Sequence, residues 1–246
     1  NVEFIQDFYD ERYSHLTGDM VCCRHTLEHI PETYEFMQTV RRSVGDRRDC
    51  VVFLEVPDVG RVLREIAFWE IYYEHCSYFT LGSLARLFRR TDFDVIRLAK
   101  DFDDQYLLLD ARPGGGNMRL KEEDDLDETR REVDFFAQTY SKRLGEWRDR
   151  VEDIRRKKQR AAIWGSGSKC VSFLSTLGVT DEIGMIVDIN PHRHGRFLAG
   201  SGKLISSPES LREYKPDVVI AMNPIYCEEI GKDLERMGLN PQLIAV

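Results

Sequence analysis

Five short apolar runs recur between Arg160 and the carboxy terminus: AAIW, IGMIVD, KLISS, DVVIAM and QLIAV. None alternates apolar with polar residues as a half-solvated strand does. Runs of this kind fit strands covered on both faces, which restricts the region to a parallel sheet flanked by helices. Helical stretches separate most of them, so the expectation is a small doubly wound α/β sheet. The first run passes straight into GSGSK, where Gly165 and Gly167 stand between a strand and the next helix. Asp188 closes the second run about 20 residues later, which is the outline of a dinucleotide fingerprint: glycines for the turn and for close approach to phosphate, an acid for the ribose. The third glycine position holds Cys170, however, and Lys169 stands in the loop. Three readings stay open: a nicotinamide dinucleotide site, a nucleotide or sugar contact, and a purely structural turn.

The amino-terminal part also alternates strands and helices. DMVCC (Asp19 to Cys23) predicts a short buried strand, followed by a polar loop, RHTLEH. Pro31, Glu32 and Thr33 open a helix suitably, Tyr34, Met37, Val40 and Val44 recur at helical spacing, and Gly45 stops it. CVVFLEVP (Cys50 to Pro57) is a continuous apolar strand, a helix carries Leu84, Leu87 and Phe88, and FDVIRLAK and QYLLLDARP predict an antiparallel pair. Gly114 to Asp127 is glycine-rich and then acidic, the pattern of a linker. Beyond it Val133, Phe136, Tyr140, Leu144, Trp147, Val151 and Ile154 mark one long connecting helix. The expected organisation is thus a first domain over 1–113, a linker and helix over 114–159, and a second domain over 160–246.

Composition narrows the function classes. The net charge of -8 disfavours a nucleic-acid partner, because a phosphate backbone selects basic faces. No apolar run approaches the roughly 20 residues of a membrane span. Six cysteines are scattered without a CxxC pair, several within apolar runs such as MVCC and DCVVFL, which predicts buried reduced thiols and a cytoplasmic setting. The opening, NVEFIQDFYDERY, carries neither an initiator Met nor a secretory signal and starts as though in mid-domain.

Two clusters carry candidate chemistry. FWEIYYEHCSYFT brings Tyr72, Tyr73, Glu74, His75 and Tyr78 together. A neutral imidazole is available near neutral pH, so His75 is the natural general base; Glu74 could orient it, and tyrosine hydroxyls could hold an enolate oxygen. A surface loop packing its aromatics on the core is the alternative. RHTLEH follows a strand, and loops at the carboxyl ends of parallel strands face the ligand crevice, which puts Arg24, His25, Glu28 and His29 there. His25 and His29 lie four apart, but the HExxH order is lacking and no third ligand is indicated, so no metal site is expected in this sequence.

CRHTLEHIP, FLEVPD, FWEIYYEHCSYFTLGSLARLFRRTDFDV and QYLLLDARP resemble the later half of the sugar C-methyltransferase family, and WGSGSK, VDINPHRHGRFLAGSGK, SSPESL and MNPIY resemble that family's carboxy-terminal domain. The resemblance implies a class I methyltransferase domain joined to a second Rossmann-like domain. It implies an enzyme that uses S-adenosylmethionine to methylate a carbon next to a ketone on a nucleotide-linked keto sugar, TDP-linked in the family's well-understood cases. A base removes the α proton and the enolate attacks the sulfonium methyl. The family's base maps onto His75, with Tyr72 and Glu74 beside it, and a further active-site histidine maps onto His29. Arg24 and His25 are the candidate cofactor contacts; Tyr78, Gly165, Ser166, Gly167, Lys169, Asn190, Asn223 and Tyr226 are the candidate substrate contacts. The family's cysteine-rich zinc module and its glycine-rich first cofactor motif are not in this sequence. The expectation is therefore a fragment lacking the front of the cofactor domain, with zinc and most of the S-adenosylmethionine site in the missing part. An NAD-dependent oxidoreductase and a non-catalytic nucleotide-sugar binding module are the rival readings.

Overall fold

In the computed structural model, residues 2–116, 118–179 and 181–246 are described. The chain forms two compact units, one running to Leu63 and resuming over Tyr73–Val133, the other made of Arg64–Tyr72 and Asp134–Val246.

In the first unit β1 (Met20–Arg24) ends in a 3-10 turn, Leu27–His29, and α1 (Thr33–Val44) follows. α1 buries Met37, Val40 and Val44, the residues whose spacing defines one helical face. β2 (Val51–Pro57) runs parallel to β1, and α2 (Val59–Glu65) leaves its end. α3 (Leu81–Arg90) starts at Thr80, whose hydroxyl accepts from the Ser83 N–H while the Ser83 hydroxyl accepts from the Thr80 N–H. This reciprocal cap satisfies two of the orphan donors of the helix start. β3 (Phe93–Asp101) and β4 (Tyr106–Pro113) form the expected antiparallel pair, giving the sheet order β1-β2-β4-β3. Leu54, Val56, Leu107 and Leu109 lie at the centre of the core, with Leu84 and Phe88 from α3.

The glycine-rich, acidic stretch differs from the linker expected at 114–127. Glu123 is buried and accepts from Nε of Arg89 at 2.9 Å and from the N–H of Leu120. Asp125 accepts from the N–H of Gly82 at 2.7 Å. A Cβ at Gly82 would lie 2.5 Å from the Glu123 carbonyl oxygen, so glycine permits this close approach to the first turn of α3. The stretch looks linker-like because its composition is polar, but the buried Glu123 and the half-buried Asp125 anchor it.

α4 (Leu126–Arg156) is the long helix that the spacing predicts, but only Trp147, Val151 and Ile154 of its apolar stripe are buried. Val133 remains 48% exposed. The second unit then runs β5 (Ala161–Trp164), α5 (Ser168–Leu177), β6 (Met185–Val187), β7 (Ile205–Ser206), α6 (Leu211–Tyr214), β8 (Val218–Ala221), α7 (Cys227–Arg236) and β9 (Gln242–Ala245). All five strands are parallel, in the order β7-β6-β5-β8-β9. This is the doubly wound, Rossmann-like α/β arrangement; the KLISS strand shrinks to two residues, and the order reverses on either side of β5. The stretch 64–72 supplies Phe68 and Trp69 to the second unit, where they pack with Trp147 and Phe173; the Trp147 and Phe173 rings meet edge to face at 5.0 Å. Among the described residues, no helix is long and apolar enough to cross a membrane.

Candidate functional site

The carboxyl end of β1 carries the first group of residues. Arg24 makes a two-pronged pair with Glu55 on β2, at 2.9 and 3.0 Å. His25 turns the chain with a positive φ of 48°, donates its backbone N–H to the Glu55 carbonyl, and brings Nε2 to 2.7 Å from the Glu55 carboxylate. Its ring also meets Tyr106 edge to face. Both candidate cofactor contacts are therefore held by one carboxylate, which fixes the strand-end loop in place.

Three residues further on, the polar loop closes into the 3-10 turn. Glu28 faces inward at 2% exposure, and its Oε2 has no hydrogen-bond partner. Burial is the main reason its carboxyl pKa is raised above the usual value. The Glu28 carbonyl accepts the N–H groups of Cys76 at 2.7 Å and Ser77 at 3.2 Å, which ties the aromatic segment to the turn. Nδ1 of His29 lies 3.1 Å from the Glu74 carbonyl oxygen. A carbonyl can only accept, so Nδ1 carries the hydrogen and Nε2 keeps its lone pair. The His29 and His75 rings stand 4.8 Å apart at 79°. Tyr78 is 5.8 Å from His75.

The sequence clusters thus partly converge. His29, His75, Tyr78 and the Glu74 backbone come together in the first unit. The Glu74 side chain is exposed, and the buried carboxylate beside the imidazoles is Glu28, named by the sequence only as one member of a loop. No periodicity could have singled it out, because burial of this glutamate follows from the 3-10 turn. Tyr72 groups with the second unit, where its hydroxyl donates to Glu70 at 2.7 Å.

Among the described residues, one group of three His, Cys, Asp or Glu side chains has ligand atoms close enough for a metal: Glu28, His29 and His75, all within 4.8 Å of one another. None of the cysteines belongs to it. Cys22 and Cys76 are exposed, and for Cys22, within MVCC, this departs from the expectation that the cysteines of the apolar runs are buried. Cys22 lies on β1, an outer strand of the sheet whose side chains alternate in exposure.

In the second unit a cavity of about 440 Å³ opens at the carboxyl ends of β5 and β8, the point where strand order reverses. Gly165, Gly167, Lys169, Asn223 and Tyr226 line it, together with Tyr72. Gly165 adopts φ +108°, a backbone conformation that L side chains rarely take. Lys169 is paired with Glu70. Ser166 and Asn190 make hydrogen bonds within the loop. Ser166 donates its N–H and hydroxyl to Asp188 at 2.8 and 2.5 Å, and Asn190 caps the following turn by accepting from His192. Asp188 also accepts the Asn190 N–H, so both of its oxygens are engaged within the protein. That weakens the case for a ribose contact by this acid. Cys170, in the third glycine position, is a buried residue of α5, and burial pushes its thiol up to about 12.

Residues 116–241 match the family model described as the C-methyltransferase C-terminal domain. The chain belongs to this family. Residues 1–98 match a methyltransferase domain model. C-methyltransferase NovU of Streptomyces niveus is 26% identical over 227 residues, which cover 88% of this chain and 54% of that protein. The chain therefore spans about half the length of the curated relative it matches.

Proposed function

We propose that this chain belongs to an S-adenosylmethionine-dependent enzyme that methylates the carbon next to a ketone on a nucleotide-linked, TDP-type keto sugar. The observation that carries the reading is the His29–His75 pair, two imidazoles 4.8 Å apart at the carboxyl-end loops of a methyltransferase-type sheet. A carbon nucleophile requires prior removal of a proton, whereas oxygen and nitrogen nucleophiles arrive with a lone pair. A base next to a hydrogen-bonding phenol is what such a reaction requires.

S-adenosylmethionine is the cofactor expected of a methyltransferase domain. In the described residues of the first unit no strand runs into a glycine-rich loop, so these residues do not by themselves make its cradle. His75 accepts the α proton. His29, held by the Glu74 carbonyl, fixes the ring opposite it and is the second candidate for that role. Tyr78 hydrogen-bonds the oxygen on which enolate charge develops. The cavity of the second unit, lined by Gly165, Gly167, Asn223 and Tyr226, is assigned to the nucleotide or sugar end of the substrate, and its apolar lining of Trp164, Met222 and Tyr226 suits a flat ring.

Calorimetric titration of the chain with TDP tests the assignment of the cavity. Micromolar binding that Tyr226→Ala weakens tenfold or more supports it; no binding at millimolar TDP removes the second unit from substrate recognition.

A further inference from the structure

We infer that Glu28, His29 and His75 form a binding site for a divalent cation of the zinc class. The inference stands on their juxtaposition and is independent of the methyl-transfer reading. Two imidazoles and one carboxylate are a donor set that borderline cations such as Zn²⁺, Co²⁺ and Ni²⁺ favour, and three protein ligands leave a coordination position open.

Three observations converge on it. The ligand atoms of the three side chains already lie within 4.8 Å of one another. Closing to the roughly 2 Å bonds of a zinc site needs only side-chain adjustment. Glu28 is buried with Oε2 unpartnered, and a buried carboxylate oxygen without a donor carries a desolvation cost that a bound cation removes. The other carboxylate oxygen, Oε1, lies 3.9 Å from Nδ1 of His25, and that ring is already engaged through Nε2 by Glu55. His29 has the arrangement that metal-bound imidazoles usually show. Its Nδ1–H is given to a backbone carbonyl, which fixes the ring and leaves Nε2 as the donor atom.

The backbone holds the ligands in register although His75 lies far from the turn in sequence. The two hydrogen bonds from Cys76 and Ser77 to the Glu28 carbonyl tie the residues just after His75 to the turn that carries Glu28 and His29. No third ligand stands near HTLEH in the sequence because the third comes from this distant segment. The consequence for function is exclusion. A ring nitrogen that binds a cation has no lone pair left for a proton, so cation occupancy silences the base proposed above.

The test uses the full 246-residue chain. Exposed thiols would also bind zinc, so the Cys22→Ser/Cys76→Ser form is the reference, titrated with Zn²⁺ against a chromophoric chelator. One Zn²⁺ per chain is expected, with affinity falling at least 100-fold in Glu28→Gln and in His75→Asn. In parallel, ¹H–¹³C spectra of the wild-type chain, which need no variant to fold, should show the His29 and His75 ring signals moving together with one equivalent of Zn²⁺. His15, His192 and His194 should stay in place. No Zn²⁺ binding below millimolar concentration overturns the site. So does binding that ignores Glu28→Gln and His75→Asn, or ring shifts confined to other histidines.

Discussion

Asp188→Asn removes one charge from the point where the glycine loop of the second unit is held. Oδ2 of Asp188 accepts both the N–H and the hydroxyl of Ser166, and Oδ1 accepts the N–H of Asn190. An amide in this position turns its NH₂ toward a backbone N–H in either orientation, leaving one buried donor facing another. The unsatisfied donor costs about 1–3 kcal/mol, and the remaining bonds lose their charge assistance, so the unit should lose roughly 2–4 kcal/mol. For a unit of this size that lowers Tm by roughly 6–20 °C. Trp69, Trp147 and Trp164 are the chain's three tryptophans and all lie in the second unit, so indole fluorescence reports its unfolding selectively. The effect is also pH-dependent. Burial opposes ionisation of Asp188, but the Ser166 hydroxyl and the Asn190 and Ser166 N–H groups outweigh it and hold the carboxyl below its usual pKa. A depressed folded-state value means that the stabilisation is fully present above the unfolded pKa of about 3.9 and is lost as pH falls through the folded value. The gap between wild type and variant in urea should therefore be widest near neutrality and close in strong acid. A difference below about 0.5 kcal/mol at pH 7, or one that persists unchanged at pH 2, would refute the reasoning.

Glu123→Ala leaves the largely buried Arg89 guanidinium without its carboxylate and should destabilise the first unit by about 3–5 kcal/mol, seen as earlier loss of amide-exchange protection in β3, β4 and α3 with the tryptophan signal unmoved. The Arg89 guanidinium also holds the Glu123 carboxyl below its usual pKa, so that contribution disappears as pH falls through the folded value. Phe173→Ala empties the centre of the Phe68, Trp69 and Trp147 cluster and should cost the second unit about 3–5 kcal/mol by urea unfolding followed through the tryptophans. With a thiol reagent at neutral pH, Cys22 and Cys76 should react first, while Cys170 waits for unfolding, as its burial and a pKa raised to about 12 require.

The second unit was the more legible part of the sequence, because its strands are short apolar runs, and β5 and β8, buried on both faces, leave no alternating pattern. The position of residues 64–72 was not legible: Phe68 and Trp69 carry apolar surface that either unit could have taken. Glu123 and Asp125 were hidden for a different reason. Their partners, Arg89 and the Gly82 N–H, are more than thirty positions away, and an acidic run between glycines has the composition of a solvated linker. The pairing of His29 with His75 was visible in the sequence only through family resemblance. Its physical cause, two backbone hydrogen bonds to the Glu28 carbonyl, leaves no trace in residue type. The placement of Asp188 likewise depends on Ser166, which a fingerprint of glycines and an acid does not include.

The most direct test of the methyl-transfer reading is exchange of the substrate's α proton with heavy water, in a full-length C-methyltransferase carrying these residues and supplied with a TDP-linked keto sugar without methyl donor. The account predicts that the wild-type protein catalyses the exchange and that His75→Asn slows it roughly 100- to 10,000-fold, the usual worth of a positioned base, with substrate affinity nearly unchanged. Near-normal exchange in His75→Asn, with loss only in His29→Asn, would move the base to the turn after β1. Exchange unaffected by either substitution would contradict the claim that this imidazole pair performs the proton transfer.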